Sequence, residues 1–282
     1  MKRFLEPPRL CGREASLFAV VPVPYERSTS YGRGAARGPA AVLDASSQLE
    51  FWDEELACQT WERGIYTAPP VNCKGPVETV FRRMEAVARG YAGGGPVPFF
   101  IGGEHSITQA LYRPFLEKYP GLSILHFDAH ADLRDRYEGS PRSHASALYP
   151  ASLECRVVQF GIRSVAPEEA CRVNAGNVKT FFAHQRIPAA RLAEKILAAL
   201  GKNVYITLDV DGFDPSVIPA TGTPQPGGLL WHETLDILRA VCRRRKVVAV
   251  DVVEVSPVKG QSISEFAAAK LIYRLMGYLS PR

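Results

Sequence analysis

The sequence predicts an α/β fold: a three-layer α/β/α sandwich whose central sheet is mostly parallel and doubly wound. Three observations carry this. Apolar runs of strand length alternate with stretches of helical periodicity along the whole chain. Several runs are almost unbroken in apolar residues, as strands covered on both faces are. No repeat, low-complexity tract or Pro/Gly/Ser-rich linker interrupts the alternation, so residues 1–282 read as a single domain.

The strands are expected at 17–23, 97–101, 122–127, 157–162, 178–182, 204–210 and 247–253. Helices are expected at 76–91, at 106–119 with Ser106 as N-cap, and at 187–200, 232–244 and 264–279. Residues 26–38 form a Gly-rich loop after the first strand. It matches neither G-x-x-x-x-G-K-[ST] nor G-x-G-x-x-G, so it reads as a substrate-lining or subunit-contact loop, not a phosphate cradle.

Composition excludes several classes. The net charge is +5, but part of the excess is the run Arg243-Arg244-Arg245-Lys246. That run falls at a predicted helix C-terminus, where the helix dipole favours cations. No aromatic residues interleave with it, so no nucleic-acid partner is expected. No apolar run approaches the roughly 18 residues of a membrane span. The N-terminus is basic but lacks an apolar signal core, which points to the cytoplasm. Six cysteines without a C-x-x-C pair read as free thiols.

The chemistry gathers at strand ends, where open α/β sheets bind ligands. Gly102-Gly103-Glu104-His105-Ser106 follows one strand, and Asp128-Ala129-His130-Ala131-Asp132 follows the next. Asp209-Val210-Asp211 and Glu254-Val255-Ser256 end two more. In a parallel sheet all four ends reach the same rim. Bare carboxylates bunched there would repel one another and destabilise the fold. Four Asp and two His with no thiolate form a hard, oxygen-rich set. Such a set favours Mn²⁺ or a similar octahedral-tolerant ion over structural Zn²⁺. Six ligands exceed what one catalytic ion with open positions needs, and suit two ions sharing bridging carboxylates. His126 points to the other face of its strand and reads as a supporting residue.

Three segments resemble the signatures of the ureohydrolase family, which includes arginases and agmatinases. They are Gly102–Ser106, Phe127–Asp132, and the stretch from Leu208 through Asp214-Pro215 to Pro224, in the family's order and spacing. The resemblance implies an arginase-like fold and two Mn²⁺ per subunit. His105, Asp128, Asp132 and Asp209 would hold one ion; Asp128, His130, Asp209 and Asp211 would hold the other. It further implies a metal-bridging hydroxide attacking the guanidinium carbon of a small cationic substrate, in a homotrimer or homohexamer. Glu254 resembles the acid that pairs with the guanidinium, His144 the histidine that carries protons near the leaving group, and Asp132 a second proton carrier. Thr223 matches a hydroxyl beside the guanidinium, or is a turn residue before Pro224.

The resemblance leaves the substrate to the loops. Ala166 stands where arginases carry an acid for the α-amino group, while Glu169 remains to meet a simple amine. Asp135-Arg136-Tyr137 resembles agmatinases. Agmatine, cleaved to putrescine and urea, is the expected substrate. Arginine, aminopropyl-agmatine and guanidino acids are the alternatives, and a catalytically silent metal-binding protein or a one-ion hydrolase stands outside them.

Overall fold

The computed structural model describes residues 2–281. At its centre lies one sheet of eight strands: β1 Phe18–Val23, β2 Ile65–Thr67, β3 Val97–Gly102, β4 Ser123–Phe127, β5 Arg156–Ile162, β6 Val178–Phe182, β7 Asn203–Asp209 and β8 Lys246–Val253. Their spatial order is β2-β1-β3-β8-β7-β4-β5-β6. Every neighbouring pair is parallel.

Parallel neighbours need crossover connections, and those lay helices on both faces. The helices are α1 Gly38–Ser46, α2 Val77–Ala92, α3 Thr108–Leu111, α4 Arg113–Lys118, α5 Tyr149–Glu154, α6 Ala189–Ala199, α7 Trp231–Arg244 and α8 Ile263–Leu279. Alternation along each strand sorts the core into two layers. Val20, Ile101, Phe127, Leu208 and Val252 pack under α1, α6, α7 and α8. Val21, Phe100, Ile124, Tyr205 and Ala249 pack under α2, α4 and α5. A fully buried Leu or Phe gains about 1.5–3 kcal/mol over exposure. β3, β8, β7 and β4 are buried almost along their whole length. Most of that gain therefore lies directly beneath the rim that carries the acids.

The structure departs from the sequence expectation in four elements. β2 is a three-residue edge strand with a half-buried Tyr66, too short to show a pattern. α1, for which no helix was expected, begins at Gly38, the last residue of the expected loop, and Pro39 suits its first turn. α5 is a six-residue helix, Tyr149–Glu154, with Pro150 in its first turn. The helix expected at 106–119 is three pieces: a 3₁₀ turn His105–Ile107, then α3, then α4. Pro114 has no N–H to continue α3 and instead opens α4. Ser106 is not a cap; its hydroxyl donates to Glu104 Oε1 at 2.6 Å.

Among the described residues no helix is long and apolar enough to cross a membrane. All six cysteines are unpaired.

Candidate metal centre

The strands that carry the predicted acids and imidazoles are four consecutive neighbours, β3-β8-β7-β4. Parallel registry brings their carboxyl ends together. Main-chain hydrogen bonds beyond the sheet then tie the loops: Gly103 N–H donates to Val23 O, Glu104 N–H to Tyr25 O and Glu254 N–H to Gly103 O. Gly103 has no alternative here, because a Cβ would stand 1.9 Å from Tyr25 O.

His105 is 1% exposed and points Nδ1 into a ring of acids. Its Nδ1 lies 3.1 Å from Asp128 Oδ2, 3.0 Å from Asp132 Oδ2 and 3.5 Å from Asp209 Oδ2. Its Nε2 lies 2.9 Å from Thr207 Oγ1, and Thr207 gives its proton to Asp251 Oδ1 at 2.5 Å. Thr207 can therefore only accept from His105, so Nε2 carries a hydrogen. Burial opposes charge on His105, yet Asp128 and Asp132 raise it well above the usual imidazole value, so without a metal ion Nδ1 carries a proton as well. In the neutral ring, Nδ1 would turn a lone pair toward three carboxylates, which is repulsive. Nδ1 is indeed a buried nitrogen without a hydrogen-bond partner. Positive charge at the shared point resolves both problems: a proton on Nδ1, or a metal cation that takes the neutral ring's lone pair.

A second group lies beside it. His130 Nδ1 is 3.0 Å from Asp211 Oδ2 and 3.5 Å from Asp128 Oδ1. Asp211 Oδ1 accepts from Ala129 N–H at 3.0 Å, and Asp209 Oδ1 from Asp211 N–H at 2.9 Å. Two clusters that share Asp128 could hold a metal ion: His105, His126, Asp128 and Asp132, and Asp128, His130 and Asp211; Asp209 is in neither. His126 donates from Nε2 to Asp128 Oδ2 at 2.8 Å, because Gln159 Nε2 donates to its Nδ1 at 2.9 Å. Thr180 in turn donates to Gln159 Oε1 at 3.0 Å. His126 thus orients a carboxylate, as outer partners of metal ligands do.

The electrostatics fit a cation-binding site. Burial, then the charge of Asp211 and of Asp128, pushes Asp209 well above the usual carboxylate range. Burial and Asp128 push Asp132 up to about 7. Burial, then Glu104, raises Glu254 strongly. Asp128 is the exception: burial opposes its charge, but His126, His105 and His130 hold it well below the ordinary value. Burial also opposes charge on His130, yet Asp211 and Asp128 raise it to about 11. The cluster attracts positive charge in whatever form is available.

His144, Thr223 and Glu254 line the same cavity as His105, His130, Asp132, Asp209 and Asp211. Thr223 Oγ1 is 3.4 Å from Asp211 Oδ2. Glu254 Oε1 accepts from His105 N–H at 2.7 Å. Glu169 stands apart: it is 4% exposed, and its two oxygens accept from Leu133 N–H at 2.7 Å and Ala166 N–H at 2.8 Å. It shapes the loop after Leu133 and is not part of the cavity wall.

Two features escaped the sequence reading. Asp132 and Glu254 are both left-handed, with φ of 53° and 66°. Non-glycine residues adopt such backbone at a cost, and it clusters at functional sites. Arg163 binds the site's far loops, donating to the carbonyls of Gly161, Asp211, Gly212, Phe213, Gln225 and Pro226 at 2.7–3.3 Å. No local pattern announces either feature.

The chain resembles known proteins over nearly its full length. It is 37% identical over 286 residues to the N(1)-aminopropylagmatine ureohydrolase of Synechocystis sp., covering 98% of this chain and 94% of that protein. It is 41% identical over 266 residues to the N(1)-aminopropylagmatine ureohydrolase of Thermus thermophilus, covering 94% and 90%. The crystal structure of the agmatine ureohydrolase of Thermoplasma volcanium superposes with a TM-score of 0.89 at 26% identity, covering 99% of this chain and 94% of that one. Residues 16–277 match the model of the arginase family. The chain therefore belongs to the arginase family, and so to the hydrolases that cleave C–N bonds of linear amidines.

Proposed function

We propose that the protein hydrolyses a small cationic guanidino compound to urea and an amine, using two Mn²⁺ ions. The observation that carries this is His105 Nδ1, a buried nitrogen that converges with three carboxylates on one point, with Glu254 beside it. His105, Asp128, Asp132 and Asp209 would hold one ion, and Asp128, His130, Asp209 and Asp211 the other. When bound, the ions supply the positive field that makes water nucleophilic near neutral pH.

The chain's own residues do the rest. The Glu254 carboxylate, pinned at Oε1, would pair with guanidinium N–H groups and orient the planar cation. Thr223 would line the same side. Asp132, on its rigid left-handed turn, would hold a proton released as water attacks. His144, half-buried at the cavity wall, would pass a proton to the leaving amine.

For the amine tail, the likeness to the Synechocystis and Thermus proteins supports N(1)-aminopropylagmatine ahead of agmatine. Agmatine remains the second reading, supported by the Thermoplasma structure. The proposal extends to a homotrimer or homohexamer in the cytoplasm; light scattering on the purified protein tests the assembly. The decisive experiment is a urea-release screen over aminopropylagmatine, agmatine, arginine and guanidinobutyrate with Mn²⁺ present. The highest kcat/KM is expected for aminopropylagmatine. Urea from none of them at saturating Mn²⁺ would overturn the reading, and a single bound ion would favour a one-ion hydrolase.

A further inference from the structure

The least explained contact near the site is a buried carboxylate that no ligand role uses. Glu104 is fully buried, and all its acceptor capacity is occupied. Its Oε2 accepts from Arg27 N–H at 2.5 Å and Ser28 N–H at 2.7 Å. Its Oε1 accepts from Ser28 Oγ–H at 2.7 Å and Ser106 Oγ–H at 2.6 Å. An ionised carboxylate is acceptor-only, with room for about four such bonds. The single proton of Ser28 is therefore committed to Glu104.

Ser28 then meets His144 with acceptor lone pairs alone. His144 N–H donates to Ser28 Oγ at 2.9 Å, which fixes the main chain. The same oxygen lies 3.3 Å from His144 Nδ1. An oxygen that has given away its hydrogen can only accept there, so Nδ1 must carry one. Ser143 Oγ, 3.5 Å from Nδ1, is the one competing hydroxyl, and it lies farther away. Tyr137 packs against the ring in a T-shaped arrangement, 5.7 Å between centroids.

We propose that Glu104 and Ser28 are positioning residues that set the His144 tautomer, with hydrogen on Nδ1 and the lone pair on Nε2. The inference rests on the reading of His144 as the proton carrier. In that role Nε2 takes up one proton, giving an imidazolium, and releases the same proton to the leaving amine. Nδ1–H stays bonded to Ser28 throughout, and the imidazole returns to its starting tautomer. The opposite tautomer would present N–H to the cavity and could not accept. The Gly-rich loop 26–38, which had no assigned purpose beyond lining or subunit contact, thus acquires one at its first turn.

Burial lowers the His144 pKa below the usual imidazole value, so the neutral ring is the form present near pH 7. The tautomer is therefore directly readable. The test is a long-range ¹H–¹⁵N correlation spectrum of ¹⁵N-histidine-labelled, metal-free protein near pH 7, with His144→Asn used to assign the ring. The expected result is a pyrrole-type Nδ1 and a pyridine-type Nε2. Glu104→Gln should invert this pattern. Its amide oxygen would face the two backbone donors, its NH₂ the hydroxyls, and Ser28 would be free to donate to Nδ1.

Ser28→Ala should lower kcat roughly 10- to 100-fold with KM little changed. It should also distort the acidic limb of the pH profile, and Ser28→Thr should restore most of the rate. A pyridine-type Nδ1 in the wild type overturns the proposal. So does a Ser28→Ala protein with the wild-type spectrum and full kcat. If Ser28→Ala does not fold, the wild-type spectrum decides alone. If the wild type releases no urea from any guanidine, the functional reading fails, while the spectrum still settles the tautomer.

Discussion

Thr207 Oγ1 lies 2.9 Å from His105 Nε2 while giving its own proton to Asp251 Oδ1 at 2.5 Å. Thr207 lies on β7 and Asp251 on β8, both buried, and their bond fixes a hydrogen on Nε2 of His105. Tyr205 and Thr108 hold the other oxygen of Asp251, so the carboxylate cannot turn away. Thr207→Val keeps the shape and removes the acceptor. It should weaken Mn²⁺ binding about 10- to 100-fold, as losses among the outer partners of metal ligands do. Calorimetric titration of the metal-free variant checks this; unchanged affinity would mean that His105 is oriented by packing alone.

Metal should also be a large part of the protein's stability. Protonated His105 and His130 offset only part of the charge of the buried acids, and bound cations supply the rest. A ligand at about 100 times its Kd stabilises the folded state by about 2.7 kcal/mol. Tm should therefore rise with added Mn²⁺ and fall on chelation. The wild type should bind about two ions per chain, and Asp211→Ala fewer, because His130 Nδ1 then keeps only the Asp128 carboxylate, 3.5 Å away. Metal analysis after gel filtration gives the count. A Tm indifferent to Mn²⁺ would remove the main support for the site.

The left-handed backbone at Asp132, φ 53°, invites a paired comparison. Asp132→Ala and Asp132→Gly both delete the carboxylate that approaches His105 at 3.0 Å. Only glycine also relieves the backbone. The Gly variant should be the more stable of the two by about 1 kcal/mol in metal-free urea unfolding. Neither should support urea release. Equal stabilities would show that the surrounding loop relaxes at no cost.

At Gly103 the conflict is steric. A Cβ there would stand 1.9 Å from the Tyr25 carbonyl oxygen, with no flexible side chain to yield. Gly103→Ala must separate β1 from the end of β3, breaking the bond from Glu104 N–H to Tyr25 O. The expected outcome is a loss of more than about 2 kcal/mol in stability, seen as a lower urea midpoint. Glu104 and Ser28 move with that loop, so urea release should fall as well.

The strands were legible because burial on both faces leaves long apolar runs. Ala249 and Val253 serve one core layer while Val250 and Val252 serve the other, and all four read as strand. β2 escaped because three residues on an edge carry no period. α1 and the 105–118 region were misread because Pro39 and Pro114 act by position in a turn, which a simple pattern does not reveal. The acids and imidazoles of the rim were legible because they sit within five residues of strand ends. Their partners were not: Ser28 meets Glu104 from 76 residues away, and Thr180 reaches Gln159 from the next strand. Glu169 shows the reverse error source. An acid in a loop suggests an amine contact, but here backbone N–H groups already occupy its oxygens.

Arg163 offers the sharpest test of how the loops support the ions. Its guanidinium gathers carbonyl oxygens from β5, from 211–213 and from 225–226, and Asp211 O is the nearest at 2.7 Å. Lysine cannot replace this fork, since it has three donors on one nitrogen and a compact, strongly hydrated charge. Arg163→Lys leaves several partly buried carbonyls without a donor, at about 1–3 kcal/mol for each that water cannot reach. Because Asp211 is the residue held most tightly, loosening should reach the metal through its side chain. The variant is expected to lose stability even in saturating Mn²⁺ and to bind the metal more weakly. Glu254 and His144 belong to other loops, so the KM for the guanidino substrate should change less than the Mn²⁺ requirement. Equal metal affinity in the two proteins would confine Arg163 to holding the loops together.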